Sequence, residues 1–365
     1  MPRSSSLELR RQVGQLLLMG FDGSEVTSKL RSTFTTLQPG SIILFRRNIS
    51  SAEQAWQLLR DADRSLHTPA LLCVDMEGGT VDRLKDVIAP APAAVDVFAT
   101  GKKKLYRQHG RVLGNECRAL GFNVDFAPVS DIAFPPSLKV LTSRVVSDEP
   151  NDVVSYVKEV LKGLNDAGVI GCGKHFPGLG EANLDTHKEL PSIDKAAAKL
   201  WKQDMLPYVK LHKQMPIVMV AHAVYPAITR DKLPASLSKK WLNDILRKKI
   251  GFKGIIMADD LEMGGVLAAA TIEEASVESL KAGSDLFAIC HDEEKVWSCF
   301  EAVLAAAERD RRFAAMIAEK AERVLKLKKK TKTVGKRVPK PTKKVLDKLR
   351  RQIWELSEQV RLAKL

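Results

Sequence analysis

Residues 173–191, which read GKHFPGLGEANLDTHKELP, carry side chains suited to proton transfer or to binding a polar ligand. An adjacent Lys174 and His175 are followed, after a Pro-Gly turn, by an Asp-x-His triplet made by Asp185 and His187. A histidine titrates near neutral pH, and a nearby carboxylate can orient its ring. Three interpretations follow from these residues alone: a catalytic loop, a metal site, or an Asx turn with an exposed histidine between two elements.

Other reactive side chains stand at the ends of apolar runs. The runs are continuous in their apolar residues, as expected of parallel strands that are covered on both faces. They are LLLMGF (16–21), SIILF (41–45), ALLCVDME (70–77), NVDFAP (123–128), GVIGCGKH (168–175), PIVMVAH (216–222), GIIMADD (254–260) and SDLFAICH (284–291). The polar residues that end them are Asp75, Glu77, Asp125, Lys174, His175, His222, Asp259, Asp260 and His291.

Amphipathic helical patterns separate most of these eight runs, and several end at a glycine, a usual helix stop. Eight strands alternating with helices predict an α/β fold of the (β/α)8 TIM-type barrel class. A doubly wound sheet is the alternative, but it usually has fewer strands, and no G-x-G-x-x-G motif follows the first run. In a barrel the reactive residues meet at the carboxyl ends of the strands.

The composition, 45% apolar and 28% charged over 365 residues, is typical of a globular protein. We interpret the five scattered cysteines, Cys73, Cys117, Cys172, Cys290 and Cys299, as reduced core thiols, since no C-x-x-C pair is present. The sequence contains no apolar run of membrane-spanning length, and the first apolar run is too short for a signal peptide. We therefore expect no membrane span and a cytoplasmic location.

The net charge of +14 is concentrated near the carboxyl end. Residues 326–365 hold 15 Lys and Arg against three acids, so their net charge is +12 and that of residues 1–325 is +2. This distribution predicts a barrel domain over 1–325, followed over 326–365 by a Lys-rich linker and an amphipathic helix. The helix has one apolar seam, formed by Leu346, Leu349, Ile353, Leu356 and Val360, which predicts packing against the barrel or a partner.

Several spaced motifs, in order, resemble the β-N-acetylglucosaminidases of glycoside hydrolase family 3, in particular the single-domain bacterial type that recycles peptidoglycan. They are QVGQLLLMGF, PGSIILFRRN, CVDMEGGTVDR, VDFAPVSDI, KHFPGLGEANLDTH, MVAHAVYPAI and GFKGIIMADDLEM. The resemblance runs from about residue 8 to about residue 325 and does not cover the tail. It implies a barrel fold, a terminal N-acetylglucosamine as substrate and no metal or organic cofactor.

The resemblance assigns the catalytic residues to two segments. A retaining glycosidase needs a carboxylate nucleophile, and GIIMADDL places Asp259 in that position. Asp260 is interpreted as structural, and it points to the other face if the strand continues. The acid/base of this branch is an Asp-x-His dyad, which here is Asp185 and His187. Ala258 departs from the usual Ser or Thr before the nucleophile.

The resemblance also implies the residues that bind the sugar, namely Asp75, Arg83, Arg144, Lys174 and His175. Without it, both arginines would be interpreted as surface ions. The chain departs from the usual KHFPGHGD at two positions, where Leu179 replaces a histidine and Glu181 replaces an aspartate.

These observations predict a retaining exo-β-N-acetylglucosaminidase that releases N-acetylglucosamine from peptidoglycan fragments, such as GlcNAc-anhydro-N-acetylmuramic acid with or without peptide. A phosphorylase remains open, because a histidine repels phosphate less than a carboxylate does. A metal-dependent hydrolase with ligands His175, Asp185, His187 and His222 is disfavoured, because successive ligands on a flexible loop are poorly preorganised for a catalytic zinc ion. A protein that binds an anionic polymer or surface through residues 326–365 is the non-enzymatic alternative. Specific nucleic-acid binding is not expected, since Trp354 is the tail's only aromatic ring.

Overall fold

The computed structural model describes residues 6–182, 184, 189–230 and 232–364. Its centre is a parallel eight-stranded sheet with the strand order β10-β1-β2-β3-β6-β7-β8-β9. A bridge between Met257 and Leu286 joins the two end strands, so the sheet closes into a barrel. The predicted (β/α)8 fold is confirmed, and each of the eight apolar runs contains a barrel strand.

The barrel strands are short and mostly buried. They are β1 (Leu17–Met19), β2 (Ser41–Ile43), β3 (Leu71–Val74), β6 (Val124–Asp125), β7 (Ile170–Phe176), β8 (Ile217–Val220), β9 (Ile255–Ala258) and β10 (Phe287–Ile289). A separate antiparallel hairpin, β4 (Met76–Gly78) and β5 (Val81–Asp82), follows β3. Its turn has positive φ at Gly78 and Gly79, and a Cβ on Gly78 would lie 2.2 Å from the Pro92 carbonyl. Only glycine fits this turn without strain.

Helices surround the barrel. They are α1 (Ser6–Gln15), α2 (Ser28–Leu37), α3 (Ala52–Arg64), α4 (Ala94–Phe98), α5 (Lys103–Leu120), α6 (Leu138–Leu141), α7 (Pro150–Asp166), α8 (Ala197–Lys202), α9 (Leu206–Leu211), α10 (Gly264–Leu267), α11 (Ile272–Ala282), α12 (Glu293–Arg309), α13 (Arg311–Lys330) and α14 (Lys343–Ala363). A π-helical segment, Lys240–Lys249, precedes β9. Three 3-10 turns complete the set, Arg46–Asn48, Thr142–Arg144 and Ala235–Leu237.

An aromatic cluster supports the end of the longest strand, β7. Phe176 packs edge-on against Tyr208 and Trp241, with ring centroids 5.1 and 5.8 Å apart, and Tyr225 packs against Trp241. The Tyr225 hydroxyl donates a 2.7 Å hydrogen bond to the Gly178 carbonyl. Edge-to-face packing of buried rings is favourable, so this cluster fixes the place where the chain leaves β7.

The cysteines lie inside the protein. All five are free and buried, as the interpretation of core thiols requires. Within the described ranges, no helix has both the length and the apolar character needed to span a membrane.

The carboxyl-terminal segment packs against the barrel. Helix α13 continues to Lys330, so the boundary predicted after residue 325 falls inside a helix. Residues 331–342 have no helix or strand. They run over the barrel, with the Thr333 hydroxyl donating to Gly168 O at 2.7 Å and the Trp56 indole donating to Val338 O at 2.9 Å. Helix α14 then packs on α5, and Leu349, Ile353, Leu356 and Val360 of its apolar seam are buried.

We expect the apolar seam of α14 to contribute to stability. Leu356→Ala should lower the free energy of unfolding by about 3 kcal/mol, because it leaves a cavity where a fully buried side chain packed. Trp354→Ala is the matched control on the same helix, since Trp354 is 64% exposed and should change it by less than about 0.5 kcal/mol. Denaturant unfolding measures both. Equal effects of the two changes would mean that α14 does not pack on the barrel in solution.

Candidate active site

A cavity of about 260 Å³ opens at the carboxyl ends of the barrel strands. Its polar lining includes six residues predicted from the sequence as site residues and three further polar ones. The predicted residues are Asp75, Arg83, Arg144, Lys174, His175 and Asp259, and the further ones are Glu77, Asp260 and His291. The structure therefore brings together residues that lie up to 216 positions apart in the sequence, Asp75 and His291.

A buried ion network forms one side of the cavity. Lys174 Nζ lies 2.8 Å from Asp75 Oδ1 and 2.7 Å from Glu77 Oε1. Arg144 binds the same Glu77 carboxylate with two parallel hydrogen bonds of 2.8 and 2.9 Å. Such a bidentate pair fixes the guanidinium plane as well as its charge. Asp75 Oδ2 also faces Arg83 at 3.9 Å.

The charges of this network stabilise one another. Burial acts to raise the pKa of Glu77, but Arg144 and Lys174 outweigh it and lower that pKa from 4.5 to about 2. Burial acts to lower the pKa of Lys174, and the Asp75 and Glu77 carboxylates raise it above its usual value instead. Glu77, Lys174 and Arg144 are therefore all ionised at neutral pH.

His175 is held by Asp131, a residue that the sequence analysis did not single out. Its Nδ1 lies 2.7 Å from Asp131 Oδ2, and its amide donates to Asp131 Oδ1 at 3.3 Å. The same Oδ1 accepts a 2.8 Å hydrogen bond from the Leu179 amide. Asp131 thus links the end of β7 to the first residues after it, and the buried Leu179 side chain lines the cavity.

Asp259 follows the last residue of β9, Ala258. Burial acts to raise the pKa of Asp259, but His175, His222, the Asp260 amide and Lys174 outweigh it and hold this pKa below its usual value. The Asp260 amide donates to Asp259 Oδ1 at 2.9 Å, which orients the carboxylate. An ionised, oriented carboxylate is what a nucleophile in this position needs.

The expectation that Asp260 points to the other face applied only to a strand that continues past Asp259, and this condition is not met. The strand ends at Ala258, so side chains no longer alternate beyond it, and both Asp259 and Asp260 line the cavity. His222 lies buried behind them. Its Nε2 is 2.9 Å from the Asp260 carbonyl and its Nδ1 is 2.7 Å from Ser236 Oγ.

Three other residues that the sequence analysis considered have different outcomes. Asp125 is buried, is not among the residues lining the cavity, and accepts a 2.9 Å hydrogen bond from the Met76 amide, which anchors the start of the β4–β5 hairpin. Asp185 and His187, the dyad implied by the resemblance, lie outside the described residues. Their roles remain predictions.

Ion pairs between side chains hold the start of the segment that leads to Asp185 and His187. Glu181 Oε1 lies 3.1 Å from Lys195 Nζ, which also lies 2.6 Å from Asp204 Oδ2. Lys195 is buried and stands over the Phe134 ring at 4.0 Å. The acid that replaces the usual aspartate at position 181 therefore has an ion-pair partner.

A metal site would need free ligands. Over the residues that the structure covers, no group of three or more His, Cys, Asp or Glu side chains could hold a metal ion. Both ring nitrogens of His222 are already bonded to protein groups. Two of the four ligands considered for a metal-dependent hydrolase, Asp185 and His187, lie outside those residues.

Sequence reasoning missed three contributions to this site. Glu77 was recognised as a strand-end acid, but its position between two cations requires knowledge of the hairpin. Asp131 lies six residues beyond β6, near the end of the motif VDFAPVSDI, and was given no role there. His291 was noted only as a strand end. All three depend on contacts between distant segments, and the only local signal was a polar residue just after an apolar run.

The fold and the site together define a (β/α)8-barrel enzyme whose cavity is built around ionised carboxylates and paired cations. Residues 8–327 match the glycosyl hydrolase family 3 N terminal domain. The chain belongs to this family and is a glycoside hydrolase. It is similar to β-hexosaminidases of Idiomarina loihiensis, with 31% identity over 80% of this chain and 88% of that one, and of Chromobacterium violaceum, with 35% identity over 80% and 81%.

Solved structures that are similar to this chain include members of the same family. A glycoside hydrolase family 3 β-N-acetylglucosaminidase from Paenibacillus sp. FPU-7 superposes with a TM-score of 0.89 and 31% identity, covering 96% of this chain and 68% of that one. NagZ from Neisseria gonorrhoeae, in complex with N-trifluoroacetyl-D-glucosamine, superposes with a TM-score of 0.72 and 28% identity, covering 85% and 98%. The chain is thus of the β-hexosaminidase type.

We expect Glu77→Gln to weaken the ion network. Near pH 7 it should lower the free energy of unfolding by about 3 kcal/mol, because it leaves two buried cations with one carboxylate fewer. Since the folded pKa of Glu77 is depressed, its contribution is full above about pH 4.5 and is lost as pH falls toward about 2. The difference between variant and wild type should therefore shrink over that range in denaturant unfolding.

The control for this prediction is Glu355→Gln. Its carboxylate pairs with Arg351 on the outer face of α14 and is 41% exposed, so removing the charge should cost less than about 1 kcal/mol. A difference for Glu77→Gln that stays constant down to pH 2 would contradict the assignment of a depressed pKa to Glu77.

Proposed function

We propose that the protein is a retaining exo-β-N-acetylglucosaminidase acting on peptidoglycan fragments in the cytoplasm. The observation that carries the proposal is the ionised Asp259 carboxylate in a cavity whose other side is the network of Asp75, Glu77, Arg144 and Lys174. A cavity of about 260 Å³ is small for a drug-sized ligand and suits a single sugar ring, which favours release of one terminal residue.

The sugar would be held by hydrogen bonds to its hydroxyl groups. Asp75 accepts and Lys174 donates, and each is kept in place by the other. Arg83 lines the cavity with its guanidinium 3.9 Å from Asp75, so it can donate a hydrogen bond to a hydroxyl that Asp75 also binds. His175 can use its Nε2 because Asp131 holds its Nδ1. Buried donors that a ligand satisfies give strong discrimination between sugars.

The reaction would proceed by double displacement. Asp259 Oδ1 accepts the Asp260 amide, and Oδ2 has no hydrogen-bond partner among the described residues. Oδ2 would attack the anomeric carbon as the bond to the leaving oxygen breaks. The first product is a glycosyl ester on Asp259 and the released aglycone. Water then attacks the same carbon from the opposite side, breaks the ester and returns Asp259 as a carboxylate. Two inversions give retention.

Proton transfer would fall to His187, with Asp185 orienting its ring. His187 donates a proton to the departing oxygen in the first step and takes one from water in the second. His187 must therefore be protonated when the first step begins and neutral when the second begins, while Asp259 must be ionised before it attacks. The placement of these residues on the segment after β7, which begins at the ion pair of Glu181 with Lys195, supports this assignment.

The Asp259 nucleophile has a direct test. Asp259→Ala should lower kcat/KM for a chromogenic β-N-acetylglucosaminide by at least about 10³-fold, because it removes the carboxylate that would form the ester. The wild-type enzyme should release the β-anomer first, as followed by NMR. The control is Asp244→Ala, which changes a half-buried acid of the π-helical segment that is not among the residues lining the cavity and should leave the rate unchanged. An α-anomer as first product would rule out Asp259 as nucleophile.

The acid/base assignment predicts a dependence on the leaving group. His187→Ala should lower kcat/KM by about 10²-fold for a disaccharide, whose leaving oxygen needs a proton. It should lower it far less for a 2,4-dinitrophenyl glycoside, whose leaving group departs as an anion. The variant should also lose the pH dependence on one limb of the kcat/KM profile. Equal losses for both substrates would assign His187 a structural role.

A further inference from the structure

The positive charge near the carboxyl end is concentrated in residues 326–348, here named the basic segment. It carries eleven Lys and Arg side chains and one acid, Asp347. Ten of the eleven cations are exposed, and Lys328 is the buried exception. The exposed cations are Lys326, Lys329, Lys330, Lys332, Lys336, Arg337, Lys340, Lys343, Lys344 and Lys348.

Most of these exposed cations have no acidic neighbour. Lys326 pairs with Glu322 and Lys340 with Glu53, which leaves eight of the ten without an ion-pair partner among the described residues. The cations beyond residue 348 differ, because each of them has an acidic partner. They are Arg350, Arg351, Arg361 and Lys364. The uncompensated charge near the carboxyl end therefore lies in the basic segment.

The basic segment crosses the amino-terminal end of the barrel. Thr333 Oγ1 donates to Gly168 O at 2.7 Å, and Gly335 packs so closely on Pro69 that an added Cβ would lie 2.9 Å from Pro69 Cγ. Gly168 and Pro69 each lie two positions before a barrel strand, β7 and β3. The cavity opens at the carboxyl ends of the strands. The basic segment and the candidate active site are therefore at opposite ends of the barrel.

Further contacts hold the basic segment in place. The buried Lys328 donates from Nζ to Gln15 Oε1 at 2.8 Å, two positions before β1. The Trp56 indole donates to Val338 O at 2.9 Å. The segment is thus attached at several points while most of its charged groups face solvent. Cations on a fixed backbone lose less conformational freedom on binding a partner than cations on a mobile tail.

The residue types of the basic segment favour one kind of partner. Ten of its eleven cations are lysines, which act as point charges, whereas arginine is the residue that binds individual phosphates with two hydrogen bonds. The segment contains no aromatic residue, so it has no ring to stack on a base. Lysines are attracted by the negative surface potential of an anionic bilayer without specific contacts. A bilayer with anionic head groups therefore fits this surface better than a nucleic acid does.

We propose that the basic segment docks the protein on an anionic lipid bilayer, with the cavity facing away from the lipid. The contact is peripheral and electrostatic, so it weakens as salt screens the charges. Because the cavity remains open to solvent in this orientation, docking and catalysis do not compete.

The test is co-sedimentation of the full chain with lipid vesicles. The protein should bind vesicles of equimolar phosphatidylglycerol and phosphatidylcholine but not vesicles of phosphatidylcholine alone. Raising the salt from about 0.1 M to about 1 M should release it. The combined change Lys330→Gln, Lys332→Gln and Lys336→Gln should lower the partition coefficient about 10²-fold, because each lysine near an anionic surface contributes about fivefold.

The matched control removes the same amount of charge elsewhere. Lys102, Lys103 and Lys104, at the start of α5, are exposed and also have no ion-pair partner in the part of the chain that the structure describes. Their combined change to Gln should alter the partition coefficient less than about twofold, because the charge of a distant face is screened from the lipid. Thermal unfolding should show that both triple variants are folded.

The outcomes decide the proposal. Equal losses for the two triple variants would mean that binding follows net charge alone, and would overturn it. A wild type that binds no anionic vesicle would also overturn it, and binding to duplex DNA instead would assign the segment to nucleic acid. Saturating anionic vesicles should leave kcat/KM for a chromogenic β-N-acetylglucosaminide within about twofold of its value without them. Inhibition by the vesicles would place the cavity against the lipid and overturn the orientation.

Discussion

The Glu77 carboxylate, placed between Arg144 and Lys174, is the interaction on which the candidate site depends. Each of these ions would be unfavourable alone in a buried setting, and each is stable only because the others are present. The network joins the β4–β5 hairpin, the turn after α6 and the end of β7. Three separate segments of the barrel mouth are therefore held in one geometry by charge.

The polar side chains that line the cavity must meet two demands that conflict. A sugar-binding site needs donors and acceptors that are rigid yet exposed to the ligand. Lys174 meets both demands because two carboxylates hold its ammonium while the side chain still lines the cavity. Asp131 does the same for His175 from behind. In both cases the supporting acid, not the contacting residue, sets the position, as preorganised sites require.

The sequence could predict the barrel and four polar residues of its cavity, Asp75, Lys174, His175 and Asp259, because strands and their carboxyl ends are local signals. Arg83 and Arg144 were predicted only through the family resemblance. It could not predict the orientation of Asp260, since that depends on β9 ending one residue before Asp259. The stack of His291 on Phe45 joins residues 246 positions apart and leaves no trace in either segment. The packing of α14 was visible as an apolar seam, but its partner α5 was not.

The pairing of β1 with β10 has a consequence for synthesis of the chain. Leu17 aligns with Phe287, so the first strand must wait for nearly the whole barrel to leave the ribosome before it gains its second neighbour. Until then β1 is an open edge, and such edges invite pairing with other chains. Until the barrel closes, the nascent protein is therefore vulnerable to aggregation at β1. A chaperone that shields this edge would act on the pairing of β1 with β10, which the topology delays.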